Sequence, residues 1–174
     1  MCYYLSLGAN LGDREDTIRQ ALKQIEQQIG SIPRCSSFFY SEPWGFESEH
    51  GFCNICCAVE TELAPLEMLR ATQAIERALG RTHKSENGVY ADRTIDIDLI
   101  RAFDKKGKEV RLDIRNQKSE VRSQDSGFRI QKSEVRSQKS EVRSQKSLLT
   151  LPHPLWKERE FVKIPLAEVL PDGE

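Results

Sequence analysis

Residues 93–101 read RTIDIDLIR. Ile95, Ile97 and Leu99 alternate with Thr94, Asp96 and Asp98, which is the period of an extended strand. Such a strand puts isoleucines on one face and the carboxylates of Asp96 and Asp98 together on the other. Like charges at that range repel. A hard cation removes the cost, because magnesium takes carboxylate and phosphate oxygens together. Two aspartates two positions apart are a weak signal alone, and in an arbitrary chain they more often mean a half-exposed strand. Here, however, Arg93 lies just upstream, Arg81, His83 and Lys84 lie in the preceding stretch, and His153 and Arg159 lie in the tail. Carboxylates for magnesium beside cations for polyphosphate recur in phosphoryl-type transfer.

The rest of the chain supplies a sheet for that strand. Residues 2–7 form a short, mostly apolar run that reads as a strand, and Gly8–Gly12 with Asp13 turns it into a helix. Ile18, Ala21, Leu22, Ile25 and Ile29 recur at helical spacing, with Gly30 at the C-terminal cap. Residues 35–40 suggest a second strand. Residues 41–51, with Pro43, Gly45 and Gly51, read as a long loop. Residues 53–63 alternate and form a third strand with a strongly apolar face. Pro65 starts a second helix carrying Leu66, Leu69, Ile75 and Leu79, which Gly80 closes. Residues 81–92 are polar and read as a loop before the Asp96–Asp98 strand. The order β-α-β-β-α-β predicts an α+β fold, the ferredoxin-like arrangement of an antiparallel sheet with helices packed on it. The tail, with Pro152, Pro154 and Pro165, predicts at most a last helical turn or two in IPLAEVL.

Composition narrows the class. The 174 residues favour one domain, 1–174, and the net charge of −1 does not point to a nucleic-acid or membrane partner. No apolar run is long enough for a transmembrane helix, and MCYYLSLGANLGD reads as a first strand rather than a signal peptide. Cys53, Cys56 and Cys57 cluster, but no second Cys/His pair stands at a zinc spacing, so they read as small buried strand residues in a reducing cytoplasm. The three histidines are too scattered for a zinc site. There is no GxxxxGK[ST], which excludes a P-loop.

One segment stands apart. KSEVRSQ occurs at 118–124, 132–138 and 139–145, with a degenerate copy, DSGFRIQ, at 125–131. About one residue in seven is strongly apolar, too few for a coiled-coil seam. Such a tract buries too little surface to offset its ordering entropy. It predicts a disordered surface insertion at about 104–147 that interrupts the single domain. A basic arm for nucleic acid is the weaker reading, because acids are interspersed and Phe128 is its one aromatic.

Two further groups leave alternatives open. Gln73 and Glu76 share a helix face, which is either solvated or next to a nucleotide. Trp44, Phe52 and Asn54 could form an aromatic slot with one amide for a flat heterocycle, although core packing is the default for such residues.

Several stretches together, YLSLGANLGDREDTI, SSFFYSEPWG, FCNICCAVETELAPLEMLRATQAIERALGR, DRTIDIDLI and LPHPLWKEREFVKIPLAEVLPD, resemble the 6-hydroxymethyl-7,8-dihydropterin pyrophosphokinase family. They cover residues 1–101 and 148–172. The resemblance implies a ferredoxin-like α/β/α sandwich and transfer of diphosphate from ATP to the pterin hydroxymethyl group, releasing AMP, in tetrahydrofolate biosynthesis. It implies two magnesium ions on Asp96 and Asp98, with Arg81 and Arg93 also catalytic. Gln73, Glu76, His83, Tyr90, Ile97, His153 and Arg159 would fall on the ATP side. Ser41, Trp44, Phe52, Asn54 and Phe161 would fall on the pterin side. The chain is further expected to act as a cytoplasmic monomer whose partners are these small molecules, with no nucleic acid and no membrane. The chain departs from the family's usual Trp-Gly-Pro-Arg before the aspartates. It has Tyr90, Ala91, Asp92 and Arg93 there, so Tyr90 stands for the tryptophan and Asp92 adds a negative charge. His83 stands where arginine is common, and Trp44 replaces a smaller apolar residue.

Two rivals fit less well. A DxD glycosyltransferase would need a larger nucleotide-binding domain with a Rossmann-like start. A ferredoxin-like RNA-binding module would want exposed aromatics and a basic sheet, where this chain places two aspartates.

Overall fold

The computed structural model describes residues 1–43, 48–81, 92–114 and 149–171. Its elements are β1 (Cys2–Ala9), α1 (Arg14–Gln28), β2 (Ser31–Cys35), β3 (Phe39–Ser41), β4 (Phe52–Glu60), α2 (Pro65–Ala78), β5 (Asp96–Phe103), β6 (Leu112–Asp113), β7 (Thr150–Leu151) and α3 (Glu160–Val169). The main sheet is antiparallel in the order β2-β4-β1-β5, with β3 also on β4. This is the predicted ferredoxin-like order.

Local chemistry explains the boundaries. Gly12 takes a positive φ of 63° and turns the chain from β1 toward α1. The Asp13 side chain then caps the helix by accepting the Asp16 N–H at 3.0 Å. A Cβ on Gly30 would lie 2.0 Å from the Glu60 carbonyl oxygen. The absence of a side chain therefore lets the chain leave α1 directly along the sheet edge. Pro65 opens α2, where the Glu67 carboxylate accepts the Ala64 N–H at 2.8 Å.

Tyr3, Leu5 and Leu7 of β1, Ile55, Cys57 and Val59 of β4, and Ile97 and Leu99 of β5 are buried in one core with α1 and α2 residues such as Ile18, Ile25, Met68 and Ile75. The opposite face packs Tyr4, Cys56, Ala58, Ile100 and Phe103 against Val162, Leu166 and Val169 of α3. Each fully buried side chain of this size is worth roughly 2 kcal/mol. A one-residue slip of β1 would turn Tyr3, Leu5 and Leu7 out together, which pins the register. Cys53, Cys56 and Cys57 are all buried in β4. No helix among the described residues is long and apolar enough to cross a membrane.

The structure differs from the sequence reading in four places. The strand predicted at 35–40 is two strands, β2 and β3. Proline is tolerated on the edge strand β2, and the β2–β4 register shifts between Ser31 and Arg34, across Pro33. The alternation of β5 continues to Phe103 through a bulge: Leu99 faces Leu5 and Arg101 faces Tyr4, leaving Ile100 as the extra residue. The tail forms a ten-residue helix rather than a turn or two. Its apolar positions 162, 165, 166 and 169 make one face, and burial of that face outweighs the helix-breaking tendency of Pro165. Finally, the described residues run past 104, to 114. Gly107 takes φ of 75° in a turn, Val110 N–H bonds the Ala102 carbonyl at 2.8 Å, and β6 pairs with β7. The three KSEVRSQ copies fall in 115–148, outside the described residues.

The β6–β7 pairing makes the insertion testable. Ile114 N–H donates to the Leu149 carbonyl at 2.9 Å, so the chain leaves and returns at one point. Replacing 115–148 with Asn-Gly, which closes a two-residue hairpin, should leave the thermal midpoint followed by circular dichroism within a few degrees of the full chain. A fall of more than about 10 °C, well beyond the 2–4 °C that 1 kcal/mol produces in a domain this size, would show that the segment contributes to the fold.

Candidate active site

Among the described residues, α3 covers one end of its side of the sheet. At the other end Ser6 and Gly8 of β1, Asn54 of β4, and Asp96 and Asp98 of β5 line a pocket. The register explains the grouping. Ser6 lies between Cys56 and Asp98, and Gly8 lies between Asn54 and Asp96. All therefore point to one face.

At the acid end, Asp96 is bracketed by two arginines. Arg81 donates to Oδ1 at 2.5 Å, and Arg93 pairs with Oδ2. Arg81 also pairs with Glu76, whose carboxylate accepts the Ile97 N–H at 2.7 Å. Glu76 is 6 % exposed. Burial, and then Asp96, push its carboxyl up to about 7 against the pull of Arg81. Burial and then Asp96 likewise push Asp98 up to about 7, opposed by Arg159, Arg93 and Arg81. His153 is tethered beside this network by its N–H to the Ile100 carbonyl at 2.8 Å, and its Nδ1 accepts the Leu155 N–H at 3.3 Å. That acceptor role places the proton of the neutral ring on Nε2. Burial, and then Arg159, lower its pKa to about 4. Arg159, 8 % exposed, precedes α3, and its guanidinium carbon lies 5.9 Å from the centre of the Phe161 ring.

These groups fit a hard cation. The two carboxylates share a face and carry an electrostatic cost that positive charge relieves. No cluster of three or more His, Cys, Asp or Glu suited to a metal occurs among the described residues. An ion on this pair would complete its shell with phosphate and water oxygens, as magnesium does.

The other end is a slot. Phe52 and Phe161 line it with Ser41, Glu42 and Asn54. The Asn54 amide is oriented by donating to Ser41 Oγ at 3.1 Å and to the Phe39 carbonyl at 3.4 Å. A Cβ on Gly8 would sit 2.8 Å from Asn54 Oδ1, so Gly8 makes room for that amide.

Of the residues singled out in the sequence, Ser41, Phe52, Asn54, Arg93, Asp96, Asp98, Arg159 and Phe161 line this one pocket. Arg81 and Glu76 reach it through ion pairs. Gln73 is half-buried on α2 and is not among the pocket's lining residues. The Ile97 side chain is buried on the opposite face of the sheet, and only its backbone joins the network, through Glu76. Trp44, His83 and Tyr90 lie outside the described residues. Sequence reasoning missed Ser6 and Glu42. The alternation YLSLG around Ser6 could have placed it on the aspartate face, whereas Glu42 carries no periodic signal.

The sequence matches the family described as 7,8-dihydro-6-hydroxymethylpterin-pyrophosphokinase (HPPK) over residues 4–171. A Porphyromonas gingivalis protein named 2-amino-4-hydroxy-6-hydroxymethyldihydropteridine pyrophosphokinase is 39 % identical over 97 % of this chain and 90 % of its own length. A Bacillus subtilis protein of the same name is 30 % identical over 95 % of this chain and 76 % of its own. The Plasmodium falciparum HPPK-DHPS structure superposes with a TM-score of 0.63 at 16 % identity, over 98 % of this chain. This chain spans only 40 % of that longer protein, and the likeness supports the fold. With the paired aspartates, their arginines and the aromatic slot on one open sheet face, the match over nearly the whole length places this chain in the 6-hydroxymethyl-7,8-dihydropterin pyrophosphokinase family.

Proposed function

We propose that this pocket is the site of diphosphate transfer and that its two ends divide the substrates. The chain is an ATP-dependent pyrophosphokinase. It transfers diphosphate from ATP to 6-hydroxymethyl-7,8-dihydropterin, giving AMP and the pterin diphosphate for folate synthesis. The observation that supports the division is the pocket itself: charged groups lie at one end, and two phenylalanines with an oriented amide lie at the other.

In this reading Asp96 and Asp98 would hold two magnesium ions for the polyphosphate. Magnesium there would polarise the phosphate and make the pterin hydroxyl a better nucleophile. Arg81 and Arg93 lie beside the reacting β-phosphorus, where positive charge stabilises the transition state. Glu76 positions Arg81. His153 presents Nε2–H to a phosphate oxygen, and Arg159 adds charge. Gln73, His83, Tyr90 and the backbone of Ile97 belong to the ATP side. Ser41, Trp44, Phe52, Asn54 and Phe161 hold the pterin, with the ring between aromatics. The hydroxyl attacks the β-phosphorus, the bond to the α-phosphate oxygen breaks, and AMP leaves. Holding both substrates in line supplies much of the rate. We further propose that the protein acts as a cytoplasmic monomer and binds neither nucleic acid nor membrane.

Incubation with ATP, magnesium and fresh hydroxymethyl-dihydropterin should release AMP, and folded protein releasing none would sink this reading. Asp98→Asn should lower kcat by about a hundredfold or more, the scale seen when a group stabilising transition-state charge is removed. Wild-type turnover in that variant would remove Asp98 from the site. The low pKa of His153 makes a separate prediction. Above its ordinary value of 6.5 the ring is neutral in both folded and unfolded chains. Between 6.5 and about 4 the unfolded chain gains a proton that the folded one does not, so stability is lost as the pH drops through that window. His153→Asn should therefore lose less stability than wild type between pH 7 and 5, read from urea midpoints. Parallel losses would contradict it.

A further inference from the structure

Asp92 stands beside Arg93, yet its carboxylate is engaged elsewhere. It accepts from Asn10 Nδ2 at 2.6 Å and from Ser48 Oγ at 2.6 Å. Asn10, 2 % exposed, follows β1 and works as a hub. Its Oδ1 accepts the Arg93 N–H at 2.8 Å, its Nδ2 also reaches the His50 carbonyl at 3.4 Å, and its own N–H bonds the Arg93 carbonyl at 3.3 Å. Ser48 Oγ in turn accepts the His50 N–H at 3.1 Å. Arg14 donates to the Gly51 carbonyl at 2.6 Å, just before Phe52 enters the slot.

We infer that Asp92 is a positioning residue, an anionic clasp that ties segment 48–51 at the slot to the segment carrying Arg93 at the acid end. The inference rests on the division of the pocket proposed above. Ser48 and His50 belong to the loop whose two ends supply Ser41 and Phe52 to the slot. Arg93 pairs with Asp96. One carboxylate thus connects, through a single covalent step, the loop bordering the pterin end with the arginine facing the phosphates. Short charge-assisted hydrogen bonds of this kind are about twice as strong as neutral ones. The same partners, Ser48 foremost, hold the Asp92 carboxyl below its ordinary value of 3.8, so it is ionised at neutral pH. Asp92 itself is exposed, so it can let go and re-form without unfolding the core. A clasp made when both segments are in place lets occupation of one end favour occupation of the other, and the coupling is reciprocal.

The test is calorimetric titration of the full chain with hydroxymethyl-dihydropterin, with and without magnesium and a nonhydrolysable ATP analogue. In wild type the analogue should tighten pterin binding. Asp92→Ala should reduce that tightening about tenfold, within the usual range of coupling between sites, while pterin affinity without the analogue changes less than twofold. Ser48→Ala should lose part of the coupling, and the double variant should be no worse than Asp92→Ala alone. Coupling equal to wild type in either folded single variant, or none in wild type, overturns the clasp. If Asp92→Ala does not fold, Ser48→Ala decides alone. Asn54→Ala is the control: it should weaken pterin binding whatever Asp92 does. If it does not, the slot assignment fails rather than the clasp.

Discussion

Asp96 is held by arginines from two separate stretches of chain, and the arrangement of the pocket follows from that. Its strand neighbours are fixed by backbone pairing with β1. Its carboxylate is fixed by Arg81 from beyond α2 and by Arg93 from the turn before β5. The buried Glu76 on α2 shares Arg81 and also accepts the Ile97 N–H. A helix, the stretch before β5 and the edge strand β5 itself are thereby locked around one charge. Burying a charge without such partners would cost far more than a small domain can sustain.

Among the described residues, one sheet face is covered unequally. Helix α3 seals the end marked by Tyr4, Ala58, Ile100 and Phe103. The bulge at Ile100 falls near the boundary between sealed and open halves. Up to Asp98 the aspartate face stays with Ser6 and Gly8. Beyond it, Ile100 and Phe103 turn into the α3 core while Ala102 keeps to the other. The strand thus carries the pocket carboxylates before the bulge and packing residues from Ile100 onward.

Selectivity in such a pocket comes from what each end refuses as well as from what it accepts. The oriented amide of Asn54, wedged over Gly8, favours a flat ring with complementary donors and acceptors. On the proposed division, the arginine-rich end favours phosphate. Neutral His153 keeps a donor at that end without another full charge, since burial and Arg159 disfavour its protonation.

Periodicity determined the element order, the ferredoxin-like class and the shared face of Asp96 and Asp98, because side-chain alternation and helical spacing are local properties. The family resemblance named most of the pocket, including Phe161 and Arg159 from the far end of the chain, which no local pattern could have joined to Asp96. The sequence alone left three things open, and each depends on groups distant in the chain meeting in space. The length of α3 depended on an apolar face finding the sheet despite Pro165. The bulge at Ile100 depended on register with β1. The partners of Asp92 depended on Asn10 and Ser48 arriving from residues 82 and 44 positions away. Read along the chain, Asp92 was a negative charge out of place beside the phosphate site that the family resemblance implied. In three dimensions its Oδ1 accepts from Asn10 and from Ser48 of the neighbouring loop.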